Sequence, residues 1–137
     1  MPQKKFWFTL SGILAVLAVA LVLSAQAAAA GKYKILHRFT GGLDGADPIA
    51  SLISDADGNL YGTTFGGGGS ANNGIVFKMT PNLNGSWAFG VLHLFHGDPA
   101  LHPFGGLVRD KAGNLYGTTA DCASGTGCQG VVYEATP

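Results

Sequence analysis

The feature that most constrains this chain is a heptapeptide that it contains twice. Gly58-Asn59-Leu60-Tyr61-Gly62-Thr63-Thr64 recurs unchanged as Gly113-Asn114-Leu115-Tyr116-Gly117-Thr118-Thr119, 55 residues later. Pro48, Leu52 and Asp55 meet Pro103, Leu107 and Asp110 at the same offset. Leu36-His37-Arg38-Phe39 returns as Leu92-His93-Leu94-Phe95 at 56, and Gly74, Val76, Phe77, Thr80 and Pro81 meet Gly130, Val132, Tyr133, Thr136 and Pro137 at 56 again. The changes of offset fall in Gly-rich loops, where length changes cost little. A chain written this way folds as one supersecondary unit used more than once. The copies cover approximately residues 36–91 and 92–137 of a β-repeat domain spanning 31–137.

Each copy has the pattern of strands. Residues 50–54, a turn over 55–59 and residues 60–65 make a hairpin, with Asp-Gly and Gly-Asn supplying the positive φ that tight turns require. Residues 74–80 alternate in period two, with Ile75, Phe77 and Met79 on the face that Val131, Tyr133 and Ala135 continue in the second copy. After Pro81, Asn84-Gly85 turns the chain into a fourth strand over 86–95, where Val91, His93 and Phe95 are expected to share a face. Residues 32–39 match that fourth strand and are expected to complete the last sheet. Of the 22 glycines, 21 follow residue 30, about three times the usual share, which disfavours a helical domain.

The expected fold class is therefore all-β, in antiparallel four-stranded repeat blades of β-propeller type, about two of them, preceded by a signal-peptide helix. The period is close to the roughly 50 residues of kelch-type blades. Two blades do not close a ring of roughly four to eight. Three arrangements remain: a piece of a longer array, several chains closing one ring, or a flat stack of two sheets. The sequence favours the first, because Thr136-Pro137 falls on a repeat boundary.

Leu92-His93-x-Phe95, the Gly-Asn-Leu-Tyr-Gly-Thr-Thr heptapeptide and Gly74-x-Val76-Phe77-Lys78-x-Thr80-Pro81 together resemble the GloVer tandem repeat, a family of exported bacterial proteins that usually carry many copies. The resemblance covers residues 35–137. It implies an exported repeat protein, and it carries over no catalytic residue, because the family has no assigned activity. This chain departs from the family pattern in holding fewer than two full copies.

Residues 1–30 carry the marks of an export signal: Lys4 and Lys5, an apolar stretch over 10–23, then Ala25-Gln26-Ala27 as a small-x-small cleavage pattern. The rival is a membrane anchor, which needs about 20 apolar residues; the short apolar stretch and its Ala-rich tail favour cleavage. The domain is thus expected to be secreted, periplasmic or at the cell surface, touching the membrane only through an uncleaved leader. Without Lys4 and Lys5, six basic residues face eight acidic ones. That balance excludes a nucleic-acid partner held by a basic field. It leaves extracellular carbohydrate or protein, and further copies of the chain in a ring.

Candidate chemistry is sparse. Asp55, Asp57 and Asn59 resemble the start of a calcium loop, but no distal carboxylate follows, and the second copy has Lys111 and Ala112 between Asp110 and Gly113. The shared element is turn chemistry, so neither metal nor cofactor is expected. His37 and His93 hold equivalent strand positions and are expected to be hydrogen-bonded core residues. Cys122 and Cys128 flank a Gly-rich loop and are expected to form a disulfide in an oxidising compartment. Trp87 and His102 are candidates for ligand contact, both without a counterpart in the other copy. No catalytic residue is expected; should the chain be an enzyme, a hydrolase or lyase on a propeller scaffold, the non-repeated acid–base candidates are Asp98, His102 and Asp121. The leading expectation is an exported binding or surface-scaffold module, with loops 41–47, 66–73 and 120–129 gathered on one rim. The alternatives are that enzyme, or a truncated fragment with no independent function.

Overall fold

The computed structural model describes residues 31–97, 100–122, 127 and 129–137. The expected signal-peptide helix lies outside them. Eight strands follow in order: β1 (Ile53–Ser54), β2 (Leu60–Thr64), β3 (Ile75–Pro81), β4 (Trp87–Leu94), β5 (Leu101–Pro103), β6 (Val108–Arg109), β7 (Leu115–Asp121) and β8 (Val132–Ala135). All pairings are antiparallel and, among the described residues, there is no helix.

The first sheet is a meander, β1-β2-β3-β4. In the second, β7 pairs β8 along Leu115 to Thr118, β6 at Leu115 and Tyr116, and β5 at Thr119 and Asp121. The repeat is visible in the pairing itself. The bridge between Ala46 and Gly66 in the first copy is the Leu101–Asp121 pair of the second, each position moved by 55.

The heptapeptide is explained by packing. Tyr61 and Thr63 turn to one face of β2, and both are buried. Gly62 leaves room on the other face for the Phe77 ring, which would lie 2.6 Å from a Cβ at that position. Gly117 makes the same space for Tyr133. The last Thr works through its hydroxyl: Thr64 Oγ1 donates to Gly66 O at 2.8 Å and accepts from Ile75 N at 3.2 Å. Thr119 Oγ1 repeats this with Asp121 O at 2.9 Å and Val131 N at 3.1 Å. Gly74 and Gly130, at φ +89° and +117°, then pass so close to the Thr64 and Thr119 carbonyls that a Cβ would run into them. The Gly-rich loop is thereby pinned to the strand on either side.

Two expectations are corrected. Residues 32–39 form no strand and do not complete the last sheet; Phe39 instead packs on Phe77 and Phe89 of the first sheet. Val91 and His93 do not share a face. β4 is bulged, so that Phe77 faces Val91 while Val76 faces His93, and the extra residue reverses the alternation. Phe89 and Leu94 pack with Phe77, whereas Phe95 joins the opposite cluster.

That bulge serves the join between the sheets. Tyr61 and Val76 of the first sheet meet Leu107, Leu115 and Tyr133 of the second copy, with Phe95 and Ala100 between them. β3 is consequently buried on both faces, where simple alternation implied one. Full burial of side chains such as Val76 or Leu115 contributes about 1.5–3 kcal/mol each. A turn hydrogen bond contributes a net of about 1 kcal/mol, so the join dominates.

One atom in it is out of place: the buried Tyr133 hydroxyl has no hydrogen-bond partner among the described residues, and burial pushes its pKa up to about 12. Urea unfolding midpoints should therefore order three variants. Tyr133→Phe should gain about 1 kcal/mol by removing an unpaired hydroxyl. Gly90→Ala, with open space around it, should change stability by less than about 1 kcal/mol. Gly74→Ala should lose about 2 kcal/mol or more through strain. A Gly74→Ala protein as stable as Gly90→Ala would contradict the pinned-loop account.

Candidate functional site

The Asp-rich turns form a closed lock. Asp55 Oδ1 accepts from Asp57 N at 3.0 Å and Asn59 N at 2.9 Å, and Oδ2 accepts from Asn59 Nδ2 at 2.8 Å and the Tyr61 hydroxyl at 2.9 Å. Asp110 does the same with Gly113 N, Asn114 N, Asn114 Nδ2 and the Tyr116 hydroxyl, at 2.7 to 3.2 Å. Four donors from the turn and its strand occupy each carboxylate, which leaves no position for calcium. Hydrogen bonding led by the Asn59 side chain holds Asp55 down at about 2, against partial desolvation; Asp110 is lowered likewise, though desolvation is the largest single influence on it and opposes the shift. Among the described residues no three His, Cys, Asp or Glu side chains gather as metal ligands.

Between the two turns, at the seam of the sheets, lies a polar cleft of about 280 Å³ lined by Asp57, Asn114, Lys78, Arg109 and Thr136 among others. Lys78 Nζ stands 5.6 Å and the Arg109 guanidinium 5.9 Å from the centre of the Tyr61 ring. The Tyr61 hydroxyl is already committed to Asp55, so the ring serves there as a platform for the two cations.

The opposite ends of the strands carry the loops. Residues 41–47 and 66–73 are tied by Ala46 N to Gly66 O at 2.8 Å and Gly68 N to Gly42 O at 2.8 Å. His102 N donates to Asn73 O at 2.9 Å, and Leu101 pairs with Asp121. The two loops of the first copy are thus linked to each other and, through residues 101 and 102, to Asp121 on the same rim.

On this rim the structure brings His102 and Asp121 together, Nδ1 to Oδ2 at 3.1 Å. The imidazole stacks on Phe65 at 4.6 Å and 16°, and the exposed Phe104 meets Phe65 edge-on at 6.2 Å. His102 also proves to have a structural counterpart. Asp47 lies 55 residues earlier, and the two share φ +56° and +54°, each immediately before a proline. Identity matching misses this because the side chains differ; alignment by offset combined with the X-Pro signal would have found it. Left-handed φ is uncommon for residues other than glycine and costs of order 1 kcal/mol or more. The strained backbone is repeated while the side chain it displays changes.

The other candidates are placed as follows. His37 is half-buried, bonded through Nε2 to Asp44 at 3.2 Å and stacked on Phe89 at 4.0 Å. His93 is exposed on β4, against the expectation of a core position, and meets the Phe95 ring in a T-shaped contact at 4.8 Å. Trp87 is half-buried at the start of β4, opposite Pro81, and packs against the Ile75, Phe77 and Met79 cluster. Cys122 Sγ accepts from Gly130 N at 3.2 Å. Cys128 and Asp98 lie outside the described residues.

Fold and motifs define an all-β repeat protein. A family model described as Gloeobacter/Verrucomicrobia repeat matches residues 22–137. The chain belongs to this family, which bears out the resemblance carried by its repeated motifs. No curated protein matches it, and no solved structure does either.

The lock has a pH signature. Its depressed carboxylates add stability that is fully present above their unfolded pKa of about 4. That stability is lost as pH falls through the folded value of about 2 for Asp55. In thermal melts between pH 5 and 2, Asp55→Asn should lose less Tm on acidification than the unaltered chain, and added calcium should leave both unchanged. A calcium-dependent rise in Tm that Asp55→Asn abolishes would restore the metal reading.

Proposed function

We propose that the chain is an exported β-repeat module, led out by residues 1–30, that acts by binding at its loop rim and as a surface scaffold. The observation that carries this reading is the repeated left-handed position at Asp47 and His102. A backbone strain kept in both copies while the residue changes is the behaviour of a display position, whereas the heptapeptide that builds β2 and the start of β7 repeats unchanged. On this reading a Cys122–Cys128 bridge closes the 120–129 loop, and the unit is one blade-like element of a propeller-type array.

The chemistry of the rim favours carbohydrate as the ligand. Phe104 offers an exposed flat apolar face for the C–H side of a sugar ring, and Asp121 and Asp47 offer acceptors for hydroxyls. The acidic character of the rim disfavours phosphate-bearing partners.

A second reading, a hydrolase or lyase, is favoured by the His102–Asp121 pair, in which the carboxylate orients the imidazole and leaves Nε2 for proton transfer. One experiment serves both. The exported chain is mixed with a panel of insoluble polysaccharides, and bound protein and released reducing or unsaturated ends are measured. The binding reading predicts retention on at least one polysaccharide without release of ends, and loss of retention in His102→Asn with Phe104→Ala. Asn tolerates the left-handed backbone, so the fold is kept. Release of ends that His102→Asn abolishes would replace the binding reading with the enzyme. Retention unchanged in the double variant would remove the rim from the account.

A further inference from the structure

The join between the two sheets is made once inside the chain, and both halves of a second join are left open on its outer faces. On the outer face of the second sheet, Val132 is 78% exposed where its equivalent Val76 is 0%, and Val108 is 67% exposed where Ile53 is half-buried. Thr118 is exposed and Thr63 buried. On the outer face of the first sheet the comparison runs the other way. Leu52 is 51% exposed where Leu107 is 5%, and Pro48 is exposed where Pro103 is fully buried.

This second face is already shaped. Leu36, Phe39, Pro48, Leu52, Leu60 and Phe77 line an apolar groove of about 300 Å³. The repeat offset carries these six onto Leu92, Phe95, Pro103, Leu107, Leu115 and Tyr133. Five of those belong to the core cluster at the internal join, and Pro103 is fully buried. The ring geometry is kept as well: Phe39 meets Phe77 at 5.3 Å and 64°, and Phe95 meets Tyr133 at 5.1 Å and 74°. Residues 35–39 therefore give the first sheet the cover that the end of β4 gives the second, with the facing sheet missing.

We propose that a second copy of this chain fills the groove. The outer face of its second sheet, Val108, Tyr116 and Val132, seats on the groove of the first sheet as Ile53, Tyr61 and Val76 seat inside each chain. The charges permit it. At the internal join Lys78 and Arg109 both flank Tyr61; at the new join their equivalents around Tyr116 are Glu134 and Ser54, which carry no like-charge pair. The contact is heterologous, so it propagates head to tail until a ring closes. It does not depend on what the rim binds.

The test uses the chain recovered after export, by light scattering with circular dichroism as the fold control. The unaltered chain should show a mass of two or more copies. Val132→Asp and Leu52→Asp should each fall to a single copy with an unchanged β spectrum; Leu36→Asp replaces Leu52→Asp should the latter lose its spectrum. Mixing the two variants should restore dimers and nothing larger, because one intact groove then meets one intact outer face. An unaltered chain that stays single up to its solubility limit would overturn the proposal. So would an oligomer that survives Leu52→Asp or Leu36→Asp but not Val132→Asp, which would mean a symmetric contact.

Discussion

The structure depends on the burial of Tyr61 and Val76 under the second sheet. Each sheet is a single four-stranded layer that needs a covering face. Residues 35–39 cover one face of the first sheet over Phe77, while Tyr61 and Val76 on its other face are covered by the second sheet. The join supplies that second cover. The bulge in β4 directs Phe95 into the space between the sheets, and Gly117 admits the Tyr133 ring on the facing side. The dominant stabilising term is thus an interface between repeats, as in other architectures where one unit cannot bury its own apolar face.

The repeated residues and the varying ones divide by task. Asp55 and Asp110 lock their hairpins, Thr64 and Thr119 pin the loops, and Gly74 and Gly130 allow the chain to pass the pinned carbonyls. The Asp55 and Asp110 carboxylates and the Thr64 and Thr119 hydroxyls are each engaged within their own copy, whereas the Gly74 carbonyl accepts from Phe95 N of the second. At the rim the displayed side chain changes, on a backbone whose left-handed conformation is the same at Asp47 and His102.

Much of this was legible in the residues. The offset of 55 to 56, the turns at Asp-x-x-Gly-Asn and the strands through 60–64 and 75–81 follow from identity, glycine placement and period-two alternation. Local signals were insufficient where tertiary contacts decide. The alternation in 87–95 hides the bulge, because a bulge is fixed by the partner strand. Residues 32–39 have strand residues but no partner edge, so Phe39 packs on a sheet face. The pairing of His102 with Asp121 is set by the loop register, which residue types 19 apart do not encode.

The central claim is that one kind of surface is buried inside the chain and offered again outside it. The most direct measurement is the solvent accessibility of the Val76 and Val132 methyl groups, by NMR with a soluble paramagnetic agent, across a dilution series. Val76 should be shielded at every concentration, and Val132 should pass from exposed to shielded as the concentration rises. An accessible Val76 would contradict the stacked sheets, and a Val132 exposed at all concentrations would contradict the repeated join.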